Sequence, residues 1–163
     1  MNTTLQGIDA RGYLQGWLKN LVNMYTSDVN AIPEDKWNVG MGGCTRPASE
    51  LTADALSFVA WTTRVLNGEA PRAEGEAMKE LTAACATKEG AVTTVQGTAD
   101  AFAAALAAAS EESLAKPVMT PFGMEMPLFL VCQIAVNHVW YHDGQLNYIH
   151  CLLGDGEMHW MSE

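Results

Sequence analysis

One stretch near the carboxyl end, residues 133–154 (QIAVNHVWYHDGQLNYIHCLLG), constrains the fold of this chain more than any other. With a period of 3.6 residues per turn, the stretch and the residues just before it predict a long helix with one continuous face. His138 and His142 lie one turn apart in the middle of this face, which is otherwise almost entirely apolar. Its members are Val131, Ile134, Ala135, His138, His142, Gln145, Leu146, Ile149, Leu152 and Leu153.

The two histidines admit two interpretations. Residues four apart on a helix have Cβ atoms about 5–6 Å from each other, so both imidazoles can reach one ion. Buried imidazoles need polar partners, and either a shared metal ion or separate hydroxyl and carbonyl groups would supply them. The residues between them are Val139, Trp140 and Tyr141, so the His-Glu-x-x-His pattern of metalloproteases is absent.

Apolar residues at helical spacing predict two further long helices in the amino-terminal half. The first is expected to run from Asp9, a candidate N-cap, to Tyr25. The second is expected to follow a glycine-rich connector, with Thr45 as its candidate cap, and to end at Asn67 before Gly68.

The rest of the chain predicts one more helical region and a turn. The helical region is alanine-rich at residues 91–110, and we expect an interruption near residues 88–90. Residues 116–127 contain three prolines and one glycine, which indicates an ordered turn or short hairpin, and Pro127 is expected to start the last helix. Four substantial helices without strand alternation predict an all-α bundle, whose sites are built from side chains on facing helices.

The predicted second helix places a carboxylate beside its apolar face. Asp54 is on the same side as that face, and burial of a carboxylate is costly unless it is paired or bound to a cation. Binding to a cation, pairing with a nearby base and contact with water all remain open for Asp54. Glu50, one turn earlier, is further from the face and is expected to be solvated. The face consists of Leu51, Ala55, Phe58, Thr62 and Val65, with Trp61 at its margin.

Charge and composition restrict the class of protein. The chain of 163 residues is long enough for one domain, expected to span residues 1–163. Its 9 basic and 19 acidic residues give a net charge of −10, which disfavours binding to nucleic acid and to anionic membranes. A signal-peptide pattern and an apolar run of membrane-spanning length are both absent, so a cytoplasmic location is expected. Three of the four scattered cysteines are expected to be buried thiols, and Cys44 is the candidate exposed thiol.

Four segments carry a resemblance to a known family. They are IPEDKW (residues 32–37), RPASELTADALSF (46–58), SEESLAKPVMTPFGMEMPL (110–128) and HVWYHDGQLNYIHCLLGD (138–155). The last is the most specific, with two histidines four apart followed by x-Gly-Gln-Leu. In this order and spacing, the segments resemble the DinB-like family of metal-binding four-helix bundles over nearly the whole chain.

The resemblance implies an up-down-down-up bundle, with an extra short helix and a proline-rich turn before the last long helix. It also implies that the second and fourth helices supply three ligands to one divalent metal. His138 and His142 match two of them, and the third falls at Asp54, where the family usually has histidine. Because no histidine precedes position 138, either Asp54 substitutes or the site has been lost. Zinc or nickel is favoured and iron or manganese is compatible with such a donor set.

Residues beside the three candidate ligands have two interpretations each. Gln145, one turn beyond His142 on the same face, is a candidate partner of the ligands or packs the helix pair. Tyr141, Trp140 and Trp61 are candidate walls of a pocket or core residues. Relatives of this kind include metal-dependent transferases and isomerases that use low-molecular-weight thiols, which implies a small thiol and an electrophilic substrate.

The alternative function is a non-catalytic, stress-associated binding or scaffold protein, with or without a metal. A homodimer is expected from the resemblance and from the apolar tail, whose Met158, Trp160 and Met161 predict docking on the body of the protein or on a partner subunit. His150 is expected at the surface or at an interface, and His159 in a contact made by the tail.

Overall fold

The computed structural model describes residues 9–70 and 74–161. Four long helices dominate this part of the chain, and α2 packs against both α4 and α6, as does α1. The predicted all-α bundle, with an additional short helix and a hairpin before the last long helix, is confirmed. In chain order the α-helices and strands are α1 (Ala10–Ala31), α2 (Ala48–Leu66), α3 (Glu74–Ala84), α4 (Lys88–Ala108), α5 (Glu111–Ala115), β1 (Pro117–Met119), β2 (Glu125–Pro127) and α6 (Leu128–Leu152).

The ends of the helices follow their capping residues. Asp9 caps α1, because its Oδ1 accepts a hydrogen bond from the Gly12 amide at 2.9 Å. The helix continues past the predicted end at Tyr25, since Asp28 and Val29 of its next turn are also buried. Thr87 caps α4 in the same way, so the break between α3 and α4 falls just before the predicted position.

The second helix and the hairpin are delimited by proline and glycine. Pro47, and not the predicted Thr45, is the N-cap of α2, because the Thr45 hydroxyl bonds to the Gly42 carbonyl outside the helix. Gly68 has the predicted left-handed conformation after α2, with a φ of 70°. The two short strands pair antiparallel, and Gly123, with a φ of 76°, closes the turn between them.

The core lies where the four long helices meet. Three aromatic side chains in it are completely buried, Tyr25 of α1, Trp37 of the α1–α2 connector and Phe102 of α4. The Trp37 indole donates to the Cys85 carbonyl at 2.9 Å, so that the connector is held against the end of α3. Within the described residues, none of the helices combines the length and hydropathy that a membrane span requires.

The predicted face of α6 holds for most of the helix but not at its carboxyl end. Leu152 is 47% exposed and Cys151 is exposed, although both were expected to be buried. His150, expected at the surface or an interface, is buried. The reason is that the chain after α6 turns back, and a 3-10 turn, His159–Met161, packs on α1. The predicted docking of the tail on the body is therefore confirmed for Trp160, whose indole bonds to Asp28.

Candidate metal centre

Side chains from α2 and α6 converge where these two helices pack together. The Nε2 atom of His142 lies 3.1 Å from Nε2 of His138 and 3.5 Å from Oδ2 of Asp54. One potential ligand atom from each of the three residues lies within 4.8 Å of the others. Ligands bound about 2.0–2.1 Å from a tetrahedral ion are separated by roughly 3.4 Å. The three side chains that the sequence analysis selected are thus brought together at spacings that suit one small divalent cation.

His142 is oriented toward this point by its neighbours on α6. Gln145 donates from Nε2 to the Tyr141 hydroxyl at 3.3 Å, which leaves its Oε1 to accept from Nδ1 of His142 at 2.7 Å. The proton of His142 is then on Nδ1, and the Nε2 lone pair faces His138 and Asp54. Burial, followed by the neighbouring His138, lowers the pKa of His142 to about 4. At neutral pH the imidazole is uncharged and its lone pair is available to a cation.

His138 completes the pair on α6, one turn before His142. Its ring is half-buried and lies edge-on to Phe58 of α2, with centroids 6.2 Å apart. Its Nδ1 atom is buried and has no hydrogen-bond partner among the described residues. If the two Nε2 atoms shared a proton directly, His138 Nδ1 would become a buried acceptor without a donor. A cation between the rings would instead accept the Nε2 lone pairs of both imidazoles, and the proton of His138 would then be on Nδ1.

Asp54 has a second partner that the sequence analysis did not identify. Its Oδ2 atom accepts a hydrogen bond from Nη1 of Arg46 at 2.7 Å, and its side chain is 26% exposed. Of the interpretations left open for Asp54, pairing with a base is therefore observed, and binding to a cation stays a prediction that the position of Asp54 beside both histidines permits. Arg46 precedes α2, so helical periodicity does not predict where its side chain lies. Its only distinction in the sequence is that it begins the segment 46–58, which carries part of the family resemblance. Glu50 is exposed, as expected.

A cleft of about 870 Å³ opens beside the three donors, with Asp54 and His138 in its lining. Its walls are largely apolar, and two of its rings, Phe58 and Trp61, stack with centroids 5.5 Å apart. Phe122 of the hairpin turn packs against Phe58 at 5.2 Å and was not identified from the sequence. The apolar lining includes Phe58, Trp61, Met78, Leu81, Met119 and Phe122.

The three aromatic residues proposed as pocket walls are placed differently. Trp61 lies in the wall of the cleft, whereas Tyr141 and Trp140 are not part of its lining. Tyr141 is 62% exposed and contacts the centre through Gln145. Trp140 is 51% exposed and packs edge-on against Trp17 of α1. Helical spacing places Trp140 on the side of α6 opposite His138, whereas Tyr141 lies at the margin of the histidine face, with its ring centroid 5.1 Å from that of His142.

The hydrogen bond from His142 to Gln145 leads to a first prediction. We expect Gln145→Ala to weaken binding of zinc or nickel about 10- to 100-fold, because the imidazole loses the partner that fixes its tautomer and orientation. Competition with a chromophoric chelator measures the affinity. Gln133→Ala is the matched control, since Gln133 is exposed on the same helix. Equal affinities of the two variants would show that Gln145 only packs the helix pair.

Comparisons with known proteins bear on the fold. No model of a known protein family matches the chain, and no curated protein sequence matches it. Among solved structures, the fold is similar to that of the mycothiol-dependent maleylpyruvate isomerase, with a TM-score of 0.62 and 12% identity. A histidine-to-alanine mutant of the same enzyme gives 0.64 and 14%. Each match covers 83% of this chain but only 60% of the isomerase chain. The chain therefore has the DinB-like helical-bundle fold that its sequence motifs indicated.

Proposed function

We propose that this chain is a divalent-metal-dependent enzyme that activates a small thiol for transfer to an organic electrophile. The observation that carries the proposal is that three donors, Asp54, His138 and His142, converge beside an apolar cleft whose lining includes Asp54 and His138. Three protein ligands leave a coordination position open, which is the arrangement of catalytic and not of structural zinc sites. The similarity to a mycothiol-dependent enzyme supports the thiol class.

The bound ion would supply Lewis acidity, which lowers the pKa of a thiol ligand and stabilises its thiolate. The chain's own residues hold and orient this chemistry. Gln145 keeps the His142 lone pair directed at the site, and Arg46 holds the Asp54 carboxylate by a charge-assisted hydrogen bond. The carboxylate also offsets more of the ion's charge than a third imidazole would, so a bound water should be less acidic than in a three-histidine site.

The cleft indicates the class of the second substrate. Its volume of about 870 Å³ is within the range of small-molecule sites, and its aromatic walls favour an apolar or unsaturated compound. In a substitution, the sulfur–carbon bond would form as the leaving group departs with its bonding electrons, and the thiol proton would pass to solvent. The match covers only 60% of the isomerase chain, so the electrophile of this chain can differ from maleylpyruvate.

A non-catalytic binding or scaffold protein is the second candidate function, and one contact favours it. The Arg46–Asp54 ion pair, with Nη1 and Oδ2 2.7 Å apart, already satisfies the carboxylate without a metal. In that case the two histidines would form only part of the packing between α2 and α6. For both candidates we retain a homodimer as a proposal, which the oligomeric state in solution tests.

A spectroscopic assay separates the two functions. The protein, purified without an affinity tag and loaded with cobalt or nickel, is titrated with small thiols and then given a model electrophile. We expect a sulfur-to-metal charge-transfer band and alkylation of the thiol, and we expect His138→Ala to lose both. Gln133→Ala is the control for substitution on α6. A metal-loaded protein that shows neither the band nor turnover with any thiol would refute the enzymatic proposal and leave the scaffold.

A further inference from the structure

A second group of potential ligands lies at the carboxyl end of α6, away from the centre described above. His150 is in the last turn of α6, and the chain turns back after it at Gly154, which has a φ of 85°. This return places Asp155 and His159 beside His150. The Asp155 Oδ2 atom accepts from Nε2 of His159 at 3.0 Å and lies 3.9 Å from Nδ1 of His150. One potential ligand atom from each residue lies within 4.8 Å of the others.

His150 presents a lone pair to this group. Its side chain is 2% exposed, and its Nε2 atom is 3.1 Å from the Asp28 carbonyl, which can only accept. The proton is therefore on Nε2, and Nδ1 is an acceptor. That Nδ1 atom is buried and has no hydrogen-bond partner among the described residues, and 3.9 Å to Asp155 is too long for a hydrogen bond. A backbone carbonyl that fixes the tautomer of a histidine is a common arrangement behind a metal ligand.

Asp155 is also oriented toward the group. Its Oδ1 atom accepts from the Glu157 amide at 2.9 Å, which leaves Oδ2 for the histidine side. The Glu157 amide, followed by His159, holds the pKa of this carboxyl below its usual range, so it is an anion at neutral pH. The side chain is 33% exposed, and the group can therefore be reached from solvent. The negative end of the α6 dipole at the same place favours a cation.

We propose that His150, Asp155 and His159 form a second divalent-cation site, which takes zinc or a similar ion through two imidazoles and one carboxylate. Water would complete a tetrahedral shell, and the 3.9 Å between His150 Nδ1 and Asp155 Oδ2 needs to shorten by about 0.5 Å to reach ligand spacing. The site is separate from the first centre, since His142 and His150 are eight residues and about 12 Å apart along α6. An ion here would fasten the tail to the bundle, next to the bond between Trp160 and Asp28.

Zinc alone, added to the tag-free protein, tests this proposal by stoichiometry and by hydrogen exchange of residues 155–161. We expect His142→Ala to keep one zinc ion that a further His159→Gln substitution removes. We also expect zinc to slow exchange of the tail in His142→Ala, by about 100-fold at a zinc concentration 100 times the Kd. His159→Gln retains a donor for Asp155, so it separates zinc ligation from the hydrogen bond.

The outcomes are distinct for the two sites. Zinc that protects the tail of His142→Ala but not that of the His142→Ala, His159→Gln double variant supports the second site, whatever is found at the first. If His142→Ala binds no zinc while its tail keeps the exchange rate of the unsubstituted protein, the proposal is overturned. The same holds if zinc slows tail exchange equally with and without His159→Gln, because the ion would then act elsewhere.

Discussion

In the His142→Ala variant, the protein is expected to lose stoichiometric metal at the centre between α2 and α6. His142 is 1% exposed, and its Nε2 atom is within 3.5 Å of both other donors, so its removal leaves one histidine and a carboxylate. The loss of affinity should exceed the roughly 10- to 100-fold decrease that removal of an outer hydrogen-bond partner causes. The measurement is metal content by mass spectrometry after supplementation with zinc, nickel, iron or manganese.

Two further variants are controls for this measurement. His159→Gln, combined with His142→Ala, restricts the measured metal content to the centre between α2 and α6. His142→Gln keeps most of the side-chain volume if alanine impairs folding. Circular dichroism should show unchanged helicity. Full retention of one ion by the His142→Ala, His159→Gln protein would show that Asp54 and His138 are not part of a three-residue site with His142.

Asp143 is expected to make the stability of the protein depend on pH. It is buried in α6, with its side chain close to Asp28 and Tyr25 of α1. If Asp143 were ionised, neither of its carboxylate oxygens would have a hydrogen-bond donor among the described residues. Burial, followed by the charge of Asp28 and a hydrogen bond with it, raises the pKa of Asp143 to about 8. We therefore expect the folded protein to keep Asp143 protonated at neutral pH and to share this proton with Asp28.

The free energy of unfolding depends on pH because Asp143 has different pKa values in the folded and unfolded protein. An unfolded aspartate has a pKa of about 3.9, so below that value both states are protonated and the stabilising contribution is complete. As the pH rises toward 8, the unfolded state loses this proton while the folded state keeps it, and the free energy of unfolding falls. When the two states differ by one bound proton, the free energy of unfolding falls by about 1.4 kcal/mol per pH unit.

We expect Asp143→Asn to remove this slope, because the amide resembles the protonated acid and does not titrate. The variant should gain stability relative to the unsubstituted protein between about pH 4 and pH 8, with the gain increasing with pH. Urea denaturation across this range measures it, and the difference between the two proteins cancels the titration of the histidines. Asp100→Asn, at an exposed position of α4, is the control. Parallel curves for Asp143→Asn and the unsubstituted protein would contradict the shared proton.

The sequence predicted the parts of the site that depend on local geometry. The helical period alone placed His138 and His142 on one face, and the apolar surroundings of Asp54 marked it as unusual before its position on a facing helix was known. The three prolines of residues 116–127 similarly predicted the hairpin. Each of these features depends on contacts within one element or on the spacing along it.

The missed features depend on contacts between distant parts of the chain. Arg46 bonds to Asp54 from outside α2, and Phe122 reaches the cleft from the hairpin turn. His150 was assigned to the surface because periodicity describes only one face of α6, while its burial depends on the returning tail and on α1. Such contacts are set by tertiary packing, for which a single sequence carries little signal.

The distribution of the cysteines has a practical consequence for kinetic work on this protein. Burial raises the pKa of Cys85 to about 11 and that of Cys132 to about 12, so neither sulfur is nucleophilic at neutral pH. Cys44 and Cys151 are exposed and can consume an electrophile themselves, which would be counted as turnover. Serine at these two positions would remove this background from the thiol-transfer assay, and each position alone offers an attachment point for a fluorescent label that leaves the interior unmodified.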